Sequence, residues 1–456
     1  MYKKILIASL ALIAGLASCK KDDPTPSPNP PSTLTIDGVA STLEFYQLDT
    51  AHLSVAGVAK DAAAKAVWAV NGAKAAEGAT FDFTTAHPGK YEITLTVDGK
   101  SAKQTYTVAP RFSEGAFLLN EGNFGNETGS LTYIHPSKKL VIDQAYYRVN
   151  GTKLGNVCQD LAFGNDQIYI LSQLGPKNGG EGLLTIARSN SLEKVKVYND
   201  EALAQSTPTH IAVLRDHIYI RTERDGILRG SSEGGFTPIT GTKKALKQRM
   251  AQIGERIFAL TKDNKILMIQ GTQVVRELDL SPAKPSGIAV SHDGKLWVST
   301  TSPNAILKVD PTPDNFVALD THILDKSISA TGPESWQRTT SSAFFAHGDK
   351  LYFTGQSSVI YCHDFATSKT SQVIDVKTID GVGTSANMYY NSLGADPSTG
   401  ELYYAAFEGY STYNKKNVTM VLKADGTKLL LKEKVNSFPA GFYFIPNAAS
   451  RTGANR

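Results

Sequence analysis

A short strand carrying one large aromatic residue, entered through a turn, recurs along most of this chain. The clearest copies are Gly164-Asn165-Asp166-Gln167-Ile168-Tyr169-Ile170, Arg215-Asp216-His217-Ile218-Tyr219-Ile220 and Asp293-Gly294-Lys295-Leu296-Trp297-Val298. Weaker copies place the aromatics at 117, 169, 219, 258, 297, 352 and 403, with successive gaps of 52, 50, 39, 39, 55 and 51 residues. A period of about 40–50 residues in a chain rich in Gly, Tyr and Phe points to stacked β units that cannot bury both sheet faces alone. Other apolar strands flank the aromatic one. Pro285-Ser286-Gly287-Ile288-Ala289-Val290 precedes it, Ala305-Ile306-Leu307-Lys308-Val309 follows it, and a weaker fourth strand falls at Phe316-Val317-Ala318-Leu319. Four strands in each of seven units predict a seven-bladed β-propeller over residues 111–446. An open ring would leave unpaired edges, so Gly441-Phe442-Tyr443-Phe444-Ile445 is expected to join the first blade.

Upstream, Tyr91, Ile93, Leu95 and Val97 alternate with polar residues, the period-2 pattern of a half-buried strand. Val67-Trp68-Ala69-Val70 runs into Asn71-Gly72, a tight hairpin signal. Residues 33–110 are therefore expected to form a small β-sandwich. The run from Pro88 to Val97 resembles the last strands of PKD-type and bacterial Ig-like modules, which implies a spacer. The fold class is thus all-β.

At the N-terminus, Lys3 and Lys4 precede an apolar run from Ile5 to Leu16, too short to cross a bilayer as a helix. Leu16-Ala17-Ser18-Cys19 resembles the bacterial lipobox. That resemblance implies a signal peptide over 1–18, lipidation of Cys19 and a membrane anchor of several acyl chains. Lys20-Lys21-Asp22-Asp23 looks like the charged export tag of Bacteroidota surface lipoproteins, which implies an outer-membrane, surface-exposed address. Residues 24–31 hold five Pro in eight positions and read as a stiff stalk within a 19–32 linker. Residues 447–456 form a tail. After Cys19 only Cys158 and Cys362 remain, which excludes a disulfide framework but leaves one bridge between them open; two buried free thiols are the expectation.

A net charge of +4 on 456 residues, with no long Lys/Arg run, gives no footprint for nucleic acid. Two catalytic patterns fail on context. Gly230-Ser231-Ser232-Glu233-Gly234 fits a nucleophile elbow, but no helix follows it. Gly381-Val382-Gly383-Thr384-Ser385-Ala386 fits a dinucleotide loop, but Asn387-Met388-Tyr389-Tyr390-Asn391 is no helix start. The His residues are scattered without metal-ligand spacing. No metal, no cofactor and no catalytic activity is expected.

Strands that alternate in direction sort their connections onto two faces. One face receives the link between second and third strands and the link to the next unit. Here those links are long and rich in aromatic and amide side chains. They supply Asn120, Glu121, Asn123 and Phe124, then Tyr146, Tyr147 and Arg148. Further along come Trp336, Gln337 and Arg338, then Asn387, Tyr389 and Tyr390, and finally Tyr410. The opposite face receives short turns such as His292-Asp293-Gly294. Clustered loop aromatics among Asn, Gln and Arg suggest a recognition surface.

The opening Phe117-Leu118-Leu119-Asn120-Glu121-Gly122-Asn123-Phe124-Gly125 resembles one group of Bacteroidota surface propellers, and the Pro-x-Gly-Ile-Ala-Val phrase resembles YncE-like and NHL-like propellers. With the lipobox and the charged tag, the chain is similar to the BtuG-type surface lipoproteins. The resemblance spans roughly residues 115–446. It implies capture of cobalamin or a related corrinoid and its delivery to a TonB-dependent transporter. Tyr and Trp with Asn, Gln and Arg offer a corrinoid both stacking and hydrogen bonds. Glycan, siderophore or haem capture fits the same surface. A sugar-active enzyme would need two nearby carboxylates, for which Glu121 and Glu408 are the candidates.

Overall fold

The computed structural model describes residues 33–40, 43–328, 343–355, 357–386 and 392–446. Cys19, the charged tag, the Pro-rich linker and the 447–456 tail lie outside them. The described chain is all-β with a few short helices, and it divides into two compact units.

The N-terminal unit carries a three-stranded sheet of Thr35–Gly38, Thr50–Ala56 and Thr80–Thr84, and a second sheet in which Gly89–Val97 pairs with Val67–Val70. The alternation read in the sequence has its expected consequence: Ile93, Leu95 and Val97 are buried. Trp68 is buried with them, and its indole N–H donates to the Gly78 carbonyl at 2.9 Å. The hairpin after Val70 turns on Asn71 and Gly72, both at positive φ, as an Asn-Gly turn matching strand twist requires.

The larger unit contains seven four-stranded antiparallel sheets among the described residues. The repeated aromatics Phe117, Tyr169, Tyr219, Phe258, Trp297, Tyr352 and Tyr403 all lie in the second strand of their sheets, and all are buried. Each fills the space between adjacent sheets, which explains why every unit needs one. The first strands pack against one another in chain order: Asn156–Gly164 on Pro208–Leu214, then Ala251–Ile253, Pro285–Val290, Phe344–His347 and Leu393–Ala395. Pro439–Phe444 follows them and also touches Asn156–Gly164, so the series returns on itself. This last strand is the inner strand of the first sheet. It pairs with Ala116–Asn120, placing Tyr443 opposite Phe117 and Phe444 opposite Ala116. The C-terminal segment therefore takes the position expected from the sequence.

Two details differ from expectation. The weak fourth strand expected at Phe316–Leu319 runs instead over Ala318–Ile323, because it pairs with Ala305–Val309 in a register that sets Ala305 opposite Ile323. The segment Ala145–Asn150 is a short helix, closed by Gly151 at positive φ.

Candidate ligand-binding face

The long connections converge on the face where the first strands begin. In four sheets the register between the first and second strands breaks near that beginning, at Asn156/Cys158/Asp160, Pro208/His210, Pro285/Gly287 and Pro439/Gly441. A bulge there bends the strand and re-aims its side chains. The mouth of the ring is shaped by this device.

Glu121 sits at that mouth, directly after the second strand of the first sheet. Its N–H donates to the Phe438 carbonyl at 2.8 Å, and its carbonyl accepts from the Cys158 N–H at 3.2 Å. The side chain is buried, and burial pushes its carboxyl up to about 7, against the opposing pull of Lys247 and a hydrogen bond with Gln159. Gln159 is 2% exposed, and its Oε1 accepts no hydrogen bond from any described residue. Burial in turn pulls the Lys247 ammonium down, opposed by Glu121 and Glu223. Arg221, also 2% exposed, pairs with Glu223 Oε1 at 3.1 Å and donates to Thr209 Oγ1 at 3.1 Å. Gln159, Lys247, Arg221 and Glu223 were not among the residues picked from the sequence. Arg221 had a signal: a guanidinium directly after the apolar run Ile218-Tyr219-Ile220 has no place in a buried strand without partners.

The rim beside this cluster is tied together by Glu127. Its carboxylate accepts from the Tyr413 hydroxyl and, at 2.9 Å, from Ser437 Oγ; Asn123 Nδ2 donates to Tyr413 at 3.4 Å. Tyr413 stacks on Phe438 with ring centroids 4.3 Å apart, and Tyr410 lies over the same ring at 6.0 Å. Three connections, 121–129, 408–416 and 434–438, are thereby locked into one body.

Of the expected site residues, Phe124 (64% exposed) and Tyr410 (39%) stand out on this face; Tyr147 (46%) is also exposed, but its helix ends with the Asn150 side chain bonded to Leu192 and Lys194 at a short turn of the second sheet, so it does not join them. Among the described residues these three are the aromatic side chains most open to water. Arg148 is exposed beside Tyr147, its Nε donating to the Asp143 carbonyl at 2.8 Å. Three residues depart from the expectation, Glu121 being buried as described above. Tyr146 is 1% exposed, because the helix turns Ala145, Tyr146 and Val149 inward, and its hydroxyl donates to Glu181 at 2.8 Å. Burial raises the Glu181 carboxyl, but hydrogen bonds from Lys194, Tyr146 and Thr152 outweigh it and hold the group below its ordinary value. Asn120 is also buried, since it belongs to the strand itself. Its Nδ2 donates to Ser130 and Thr132, and its Oδ1 accepts from the Ser437 N–H. Trp336, Gln337, Arg338, Asn387, Tyr389 and Tyr390 lie outside the described residues.

Glu408 lines a separate cavity of about 340 Å³ with Gly383, Lys416 and Glu433, and Glu121 is not part of its wall. The two carboxylates considered for sugar chemistry thus do not share this cavity. Both remaining thiols are free, but of the two expected to be buried only Cys158 is fully so, Cys362 being half-buried; burial pushes Cys362 up to about 11 and Cys158 higher still. No group of three or more metal-ligating side chains occurs among the described residues.

No curated protein matches the chain. Among solved structures, a quinonprotein alcohol dehydrogenase-like protein from Bacteroides thetaiotaomicron is 15% identical, covers 92% of this chain and 98% of its own, and superposes with a TM-score of 0.58. A functionally unknown protein from Desulfotomaculum acetoxidans is 13% identical over 73% of this chain and 99% of its own, with a TM-score of 0.46. A streptogramin B lyase is 15% identical over 63% and 90%, with a TM-score of 0.42. At such identities the first likeness speaks to the propeller-like fold alone. One family model covers residues 114–446, the whole ring from the first sheet to its closing strand. The chain belongs to the family described as a domain of unknown function, DUF5074.

Proposed function

We propose that this chain is a surface-exposed, lipid-anchored seven-bladed propeller that captures a nutrient ligand on its long-connection face and passes it to a TonB-dependent transporter. Each four-stranded sheet is read as one blade, residues 33–110 as an Ig-like spacer, and Cys19 as the lipidated residue. The observation that carries the binding reading is the exposure of Phe124 and Tyr410 on two connections that Glu127 and Phe438 tie together. Two large rings left in water on neighbouring connections, beside a polar cluster, are what a stacking ligand with hydrogen-bonding groups needs.

The ligand class favoured is a corrinoid. Its ring edges suit the aromatics, and its peripheral amides suit the half-buried Asn123 amide on the same connection as Phe124. No catalytic step is required of any residue. Calorimetry of the purified protein with cyanocobalamin, and in parallel with haem and a glycan panel, tests this. Cobalamin is expected to bind without added metal. Tyr410→Ala and Phe124→Ala are expected to weaken it, since loss of a central aromatic at an interface commonly costs about 2 kcal/mol, roughly thirtyfold in affinity. His292→Ala, on the short-turn face, is expected to leave it unchanged. Absence of cobalamin binding by the intact protein ends the corrinoid reading, and saturable binding of a glycan or haem would replace it.

A further inference from the structure

The outer strand of the fifth sheet, Ala318–Ile323, runs between two buried anchors, Phe316 and Leu324, yet five of its own six residues are exposed. His322 alone turns inward. Its imidazole lies flat on the Phe365 ring, with centroids 3.7 Å apart and planes 3° from parallel. Its Nδ1 meets Nε2 of His363 at 2.9 Å. His363 belongs to the third strand of the sixth sheet, Val359–Asp364, and is 2% exposed. One pair of imidazoles and one ring stack therefore join this strand to the neighbouring sheet.

The other ring nitrogens are also engaged. His363 Nδ1 meets Thr370 Oγ1 at 2.9 Å, while His322 Nε2 lies 3.4 Å from Asp320 Oδ2 and 3.5 Å from Ser368 Oγ. Charged groups surround the pair on each strand. Asp364 follows His363 and stands across the ladder from Lys350 and Lys369. Lys308, on the strand beside His322, holds its ammonium 5.9 Å from the Phe365 centroid and 3.0 Å from Asp349. Trp297 meets Phe365 edge-on at 4.8 Å.

Proton counting defines what the pair tolerates. Two facing ring nitrogens at hydrogen-bond distance need one proton between them, one ring donating and the other accepting. A first added proton can sit on His322 Nε2, toward the Asp320 carboxylate, and every bond survives. A second must go to the accepting nitrogen. Two N–H groups and two positive charges then face each other, and repulsion replaces the bond. We infer that the His322–His363 pair is an acid-released latch, which holds Ala318–Ile323 against the sixth sheet until both imidazoles are charged and then lets the strand go. The ladder to Asn304–Val309 is the tie that remains.

Burial, and after it the charge of His322, holds His363 below its ordinary 6.5, with Asp364 opposing. The unfolded chain thus takes up this proton before the folded one does. The latch contributes fully above pH 6.5 and is lost as pH falls through the lower folded value.

Hydrogen exchange of the full chain, corrected for the intrinsic rate, tests this between about pH 7.5 and pH 5, the range in which imidazoles change charge. Protection of Ala318–Ile323 is expected to fall at least tenfold on acidification, while Lys369–Asp375 and Lys428–Glu433, outer strands of the next two sheets, stay level. His322→Phe, which keeps a flat ring on Phe365 and cannot titrate, is expected to hold its protection unchanged across the range. Spectra of the parent labelled with ¹⁵N-histidine need no variant to fold. They are expected to show the two rings titrating in separate steps, the second below pH 6.5 and coincident with the loss of protection. The inference is overturned by protection that does not change with pH, by equal loss in all three outer strands, by a folded His322→Phe protein that opens in parallel with the parent, or by two rings that both become charged while the strand stays protected.

Discussion

Tyr146 and Tyr147 are chemically identical neighbours with opposite fates. In a helix successive residues differ by about 100° around the axis, and the inward stripe of Ala145, Tyr146 and Val149 leaves Tyr147 in water. Nothing in the dipeptide itself distinguishes them; the stripe is set by what the helix packs against. Glu121 was readable as a loop carboxylate but not as a buried one, because its burial comes from Phe438 and Lys247, hundreds and over a hundred residues away. Its titration carries a prediction. In the fold its carboxyl rises from 4.5 to about 7, so the native state holds the proton more tightly than the unfolded chain does. Its contribution is neutral below pH 4.5 and becomes a growing penalty as pH rises through 7. At about 1.36 kcal/mol per pH unit the penalty is bounded at roughly 3 kcal/mol. Chemical denaturation of the parent and Glu121→Gln from pH 4 to pH 8 is expected to show the parent losing stability relative to the variant across that window. A constant difference between the two would contradict the burial of an ionisable Glu121.

The aromatic strands were the most legible elements, because turn, strand and ring recur together and the period forces a common role on them. All seven ended up in second strands and in the core. The short helices at Ala145–Asn150 and Glu201–Ser206 were not legible, being too short to show a periodicity above chance. The bulges were hidden as well, since a bulge is a property of two strands rather than of one. The closing strand carries its own prediction. Pro439–Phe444 brings buried Phe442 and Tyr443 to the first sheet and satisfies the inner edge of Ala116–Asn120. Removing residues 436–456 is expected to lower the melting temperature by many degrees and to blunt the cooperativity of unfolding. A milder change, Tyr443→Phe, withdraws the hydroxyl from buried Asp160, and leaving such an acceptor short of a partner costs about 1–3 kcal/mol. Unaltered melting of the truncated chain would mean that another segment closes the ring.

For the molecule as a whole, the family match and the ring of sheets agree in extent: both run from just before Ala116 to just after Phe444. The membrane address proposed for Cys19 is tested at this scale. Cys19→Ala is expected to move the protein from the membrane fraction to the soluble one, with the loss of lipid mass from the mature N-terminus. Retention in membranes without lipid mass would sink the anchor.

The ring's closure also has a bearing on attachment. Phe444 lies opposite Ala116, and the Ile445 N–H donates to the Gly115 carbonyl at 2.9 Å, so the polypeptide enters and leaves the ring side by side. Ala116 opens a second strand, and second strands start at the short-turn face. Phe124 and Tyr410 lie on the connections at the opposite face of the ring, so the anchor proposed at Cys19 would join the ring at the end away from the proposed ligand.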